Sequence, residues 1–203
     1  MSDVTINQLN TGIPNKGSAI IPYSDGTTTY KTSPSGIVAA SPGCLLQVKQ
    51  TYLTEYNDIQ LYPNSWSDIT TLTTEGQGSG SLSCSIVPKT LTSKIIVKAI
   101  INWDRYGALP LFRLLRESTP VGNSTSGSQL NGFAGGFGFG SQYGGESSVI
   151  EFLDSPTIGN LSSSITYKVQ VGTTFSNNVW RFNRSADNNS GFTSSITLWE
   201  IAG

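Results

Sequence analysis

The chain has 203 residues, of which 36% are apolar and only 12% charged, with a formal net charge of −1 and no histidine. Its 12 Lys and Arg are scattered, whereas a nucleic-acid face needs clustered cations to neutralise phosphates, so nucleic acid is not an expected partner. Without histidine the commonest neutral-pH general base, the histidine-assisted nucleophiles and the usual zinc ligands are missing, so no catalytic, cofactor or metal site is expected. No apolar run reaches the ~18–20 residues needed to cross a bilayer, so membrane insertion is not expected. The first five residues carry none of the basic and apolar regions of a secretory signal, so synthesis in a cytosol is the expectation. What replaces charge is Ser, Thr, Asn, Gln and Gly, a mixture poor for helices and suited to short strands joined by tight turns.

In chain order, residues 1–43 are turn punctuation with short apolar pieces between the turns. Ile6, Leu9, Ile20, Ile21 and Tyr23 are the candidate attachment residues of this stretch. None of these pieces can bury itself alone. The segment reads as an extended arm docking on sister subunits or a larger assembly, and the alternative is a loose tail.

From residue 44 to 203 the pattern becomes that of a β-sandwich, with turn signals at the spacing of an all-β fold. Strands are expected over 45–54, 65–72, 81–87, 94–101, 111–117, 148–153, 165–171, 179–184 and 194–201. The clearest is 165–171, where Ile165, Tyr167, Val169 and Val171 face one way and Thr166, Lys168 and Gln170 the other. The run 194–201 is nearly unbroken in β-formers, the pattern of a central strand covered on both faces. Segment 109–117, which contains Pro110, is open to a helical reading, but the surrounding composition favours a strand.

Two loops could carry recognition. Trp103, Arg105 and Tyr106 follow the apolar run 94–101 and combine aromatic faces with a guanidinium, as sugar and protein recognition do. The alternative is that Trp103 closes the end of the core. Residues 118–147 form a long glycine-rich insert in which Phe137, Phe139 and Tyr143 either face a partner or pack along an edge strand. Trp66, Trp180 and Trp199 lie in strand runs and read as packing residues, Trp199 also as a subunit contact.

Chemistry-bearing patterns are weak. The run Gly136-Phe-Gly-Phe-Gly140 is not a phosphate loop, because no helical pattern follows it. A glycosidase needs two carboxyl groups about 5–10 Å apart across one sugar bond. Asp154 reads instead as the start of a turn before Pro156, and Asp104 and Asp187 as residues of polar connections. Cys44 and Cys84 read as two small hydrophobes, with pairing left open by their spacing.

The phrases Lys16-Gly-Ser-Ala-Ile-Ile-Pro-Tyr-Ser-Asp-Gly26, Ser41-Pro-Gly-Cys-Leu-Leu-Gln-Val48, Phe152-Leu-Asp-Ser-Pro156 and Ser194-Ser-Ile-Thr-Leu-Trp-Glu-Ile-Ala-Gly203 resemble a family of tail-fibre-like virion proteins of bacteriophages of aquatic bacteria, including cyanophages. Both ends of the chain carry the resemblance, and residues 50–80 and 102–147 do not. The resemblance implies a jelly roll of the C1q/TNF type, assembled as a homotrimer and joined to other virion proteins through the arm. It further implies a host surface glycan or protein as receptor, and a place in the virion. A head fibre, capsid decoration or baseplate component without a receptor is the alternative. The family motifs mark structure, so there are no catalytic residues to carry over.

Overall fold

The computed structural model describes residues 21–24, 29–32, 42–70, 80–105, 110–125, 130–135, 145–174, 178–185 and 191–203. The chain divides into two units, Met1–Cys44 and Leu45–Gly203. In the first, β1 (Ile21–Ser24) pairs antiparallel with β2 (Thr29–Thr32), in a register that sets Tyr23 opposite Tyr30. Of the candidate arm residues, Ile21 and Tyr23 therefore lie on β1, whereas Ile6, Leu9 and Ile20 lie outside the described residues.

The second unit is an all-β sandwich of antiparallel strands. Its strands are β3 (Leu45–Leu53), β4 (Asn57–Leu61), β5 (Ser65–Asp68), β6 (Ser83–Ile86), β7 (Lys94–Arg105) and β8 (Leu111–Arg116). They continue with β9 (Thr119–Val121), β10 (Ala134–Gly135), β11 (Glu146–Asp154), β12 (Ile165–Thr173), β13 (Asn178–Phe182) and β14 (Ser194–Ile201). In one sheet the order β3–β14–β7–β11 is extended by β13 and β4, which pair beyond the end of β14. In the other, β12 lies between β8 on one side and β5 and β6, which share its opposite edge. The chain crosses repeatedly between the sheets and returns β14 beside β3, which is jelly-roll topology.

Period-two alternation builds the core. In β7 the residues Ile95, Val97, Ala99, Ile101 and Trp103 are fully buried, while Ile96, Lys98, Ile100 and Asn102 on the opposite face are half-exposed. Tyr167, Val169 and Val171 of β12 and Phe112 and Leu114 of β8 meet them from the other sheet. Segment 111–117 is indeed a strand, ending one residue early. Glu117 adopts a left-handed φ of 53° to turn the chain into β9, and its carboxylate accepts a hydrogen bond from the Thr166 N–H at 2.7 Å.

Several expectations are revised. The strand predicted over 94–101 runs on through Arg105, because Trp103, Asp104 and Arg105 pair with Phe182, Arg181 and Trp180 of β13. Asp104 is thus a buried strand residue, not part of a polar connection. Strands β4 and β9 were not expected, being short and supported by pairing more than by pattern, and β10 falls in the insert read as a loop or edge strand. Asp154 is the last residue of β11 and is buried, where a turn start was expected.

Candidate functional site

Trp103 is withdrawn as a contact residue. Its indole has no solvent exposure, stands edge-on to Trp180 with centroids 5.8 Å apart, and donates Nε1–H to Ser148 Oγ at 3.0 Å. A large aromatic with one satisfied polar edge is a core residue, and this is the end-of-core role weighed as the alternative. Arg105 closes β7, and Tyr106, Phe137, Phe139 and Tyr143 lie outside the described residues. Of the predicted contact residues, only Trp103 is thus placed by its side chain among the described residues.

The structure creates two chemically distinct outer faces. On the β3–β14–β7–β11 sheet the register aligns Val48, Trp199, Ile96 and Leu153 in one row across four strands. The next row is Gln50, Thr197, Lys98 and Glu151, and the third is Tyr52, Ser195, Ile100 and Val149. Val48, Tyr52, Val149 and Leu153 are 46–60% exposed, and Trp199, Ile96 and Ile100 are half-buried. The polar row is internally paired. Gln50 Nε2 donates to Thr197 Oγ1 at 2.8 Å, and Lys98 lies 3.6 Å from Glu151. Exposed apolar side chains aligned in rows depart from the scattered exposed hydrophobics of ordinary surfaces.

The outer face of the β5–β12–β8 sheet is polar with an aromatic platform. Antiparallel register sets Trp66 beside Gly172, and Asp68 and Arg113 on either side of Gln170. Trp66 covers Gly172 so closely that a Cβ there would stand 2.7 Å from Trp66 Cε3. The Arg113 guanidinium lies over the indole, its carbon 4.5 Å from the ring centroid. Its Nε and Nη2 both donate to Gln170 Oε1, at 2.7 and 2.5 Å. Gln170 Nε2 donates onward to Asp68 Oδ1, and Lys168 Nζ reaches Asp68 Oδ2 at 3.0 Å. Partial burial pulls the Arg113 pKa below its ordinary value, opposed by the negative charge of Asp68. A cleft of about 470 Å³ opens beside this stack, walled by Trp66, Arg113, Pro120, Asn123, Ser124 and Asn131 among others.

The polar parity of Thr166, Lys168 and Gln170 was legible in the sequence, but the roles of Trp66 and Arg113 were not. Their meeting depends on which strands flank β12, and no local pattern encodes that. Two buried carboxylates are tied up structurally. Asp154 receives Arg116 Nη1 on both oxygens at 2.9 and 2.8 Å and the Tyr167 hydroxyl at 2.7 Å. Glu200, fully buried, accepts hydrogen bonds from Gln47 Nε2, the Lys89 N–H and the Ser93 hydroxyl. Among the described residues Cys44 and Cys84 are unbridged thiols, and no three metal-binding side chains cluster. No family model and no curated protein matches the chain. The described body is thus an antiparallel jelly-roll sandwich with one apolar and one polar, aromatic outer face.

Proposed function

We propose that this chain is a non-enzymatic structural protein of a bacteriophage particle, a homotrimeric tail fibre that joins the virion through its N-terminal arm and binds the host surface through its β-sandwich. The tail-fibre resemblance of the sequence supplies the particle, and the jelly-roll order of the strands agrees with the fold that resemblance implies. The observation that carries the assembly part is the outer face of the β3–β14–β7–β11 sheet. Its two apolar rows flank a row whose only charged side chains, Lys98 and Glu151, neutralise each other. Within these three rows the charges cancel, and burying them against a sister copy removes apolar surface from water at roughly 25 cal/mol per Å². Copies turned to a common axis through this face leave the polar Trp66 face outward, free to meet a cell. Repetition of a weak site around the oligomer then raises avidity through effective concentration.

Light scattering of the purified protein at micromolar concentration tests the assembly. A mass three times that of the chain is expected, and the double substitution Val48→Glu with Leu153→Glu should return it to one. A wild-type monomer would sink the reading. Adsorption tests the binding half: purified protein should bind host cells and compete with phage. Localisation on the particle by electron microscopy separates a tail position from a capsid or baseplate position. Capsid lattice sites would replace the fibre with a decoration protein.

A further inference from the structure

We infer that the cleft beside Trp66 and Arg113 is a saccharide subsite selective for a sugar bearing a carboxylate. The inference rests on the cell-binding half of the reading above and names the chemistry of the ligand. Pro120, Leu130 and the edge of the half-buried Trp66 indole, whose faces lie against Gly172 and Arg113, give the cleft apolar walls against which the C–H face of a sugar ring packs. Asn123, Ser124, Thr125 and Asn131 add amide and hydroxyl groups to the lining, giving it the mixed polarity of small ligand clefts.

The charge preference comes from Arg113. It is the only charged residue among those lining the cleft, and no carboxylate lies within ion-pairing distance of it among the described residues. Gln170 Oε1 takes Nε–H and one Nη2–H, which holds the guanidinium plane over Trp66 and leaves the Nη1 hydrogens unused by that contact. A guanidinium already oriented by stacking and by a bidentate amide loses little further freedom on binding. Its remaining donors match the planar fork of a carboxylate. Asp68, the nearest source of repulsion on this face, is itself engaged by Lys168 and Gln170.

The test titrates the full-length protein with trigalacturonate, with galactotriose and with acetate. Binding is followed by calorimetry and by acrylamide quenching of tryptophan fluorescence. Trigalacturonate should bind and shield Trp66 from quencher, with galactotriose weaker by about tenfold, the scale of one charge-assisted contact. Arg113→Gln should abolish the preference for the acid, Arg113→Lys should retain part of it, and Trp66→Ala should weaken both sugars. The inference is overturned if folded protein binds neither sugar, if acetate binds as well as trigalacturonate, or if the substitutions leave the preference unchanged. Failure of this titration with host adsorption intact overturns the subsite alone. Sugar binding without adsorption overturns the cell-binding reading and leaves the subsite standing.

Discussion

Tyr167 donates its phenolic hydroxyl to Asp154 Oδ2 at 2.7 Å, a bond that joins the end of β11 in one sheet to β12 in the other. Arg116 completes the cluster from β8 by bracketing both carboxylate oxygens. One buried carboxylate thereby ties the two layers of the sandwich together, with its charge compensated by a cation and its remaining lone pairs by a hydroxyl.

Burial, then the hydrogen bond to Asp154, then the charge of that carboxylate push the Tyr167 pKa well above its ordinary value of 10.0, against a smaller opposing effect of Arg116. The folded state therefore holds the phenolic proton more tightly than the unfolded state does. The resulting stabilisation is fully present below about pH 10 and is lost as pH rises above it. Urea unfolding at a series of pH values should show wild-type stability falling above pH 10. Tyr167→Phe should cost about 1.5–3 kcal/mol at neutral pH and lose much of that alkaline decline. A variant as stable as wild type at neutral pH would show that the bond contributes nothing.

Asn183 sits in the left-handed region at φ 61° and is buried. Its amide donates to the Leu53 and Glu55 carbonyls at 2.8 and 2.9 Å, and its oxygen accepts from the Ser194 hydroxyl at 2.6 Å. Asn183→Ala leaves the buried Leu53 carbonyl and Ser194 hydroxyl and the exposed Glu55 carbonyl without this partner, and alanine tolerates positive φ less well than asparagine. A loss of about 3 kcal/mol or more is expected in denaturant melts. Asn183→Gly relieves only the backbone and should recover a minor part. Full recovery by glycine would mean that the hydrogen bonds are secondary.

Gly172 is required by Trp66. An added Cβ would meet Trp66 Cε3 at 2.7 Å and the Ser65 carbonyl oxygen at 2.9 Å, and the latter is backbone that cannot swing aside. Gly172→Ala is expected to cost about 1–3 kcal/mol and to lift the indole off the sheet, seen as a red shift and stronger quenching of tryptophan emission. An unchanged spectrum at unchanged stability would place Trp66 elsewhere.

The two thiols should differ. Cys84 is buried in the core, and burial raises its pKa above the ordinary thiol value, opposed by hydrogen bonds from Thr51 and Ser85 and by the charge of Lys49. Cys44 is half-buried. A disulfide-exchange reagent should label one thiol per folded chain quickly and the second only in urea. Two thiols reacting at one rate in the native protein would contradict the burial of Cys84.

By itself the sequence determined the all-β class and the position of nine of the body's strands, because period-two alternation is a local property that burial on one face imposes on each strand separately. It also showed that Thr166, Lys168 and Gln170 share the polar side of β12. The fate of Trp103 was decided only by tertiary structure. Its loop reading failed because β13 extends the sheet past the end of β14, giving Trp103 a strand partner in Phe182 and an aromatic neighbour in Trp180. The same holds for both outer faces. The apolar rows exist because four strands align Val48, Trp199, Ile96 and Leu153, residues as much as 151 positions apart in the chain. The Trp66–Arg113 stack exists because β5 and β8 flank β12 with their polar sides in common. Register between distant strands is fixed by the packing of the whole core, so a surface composed across strands emerges only once that core has formed.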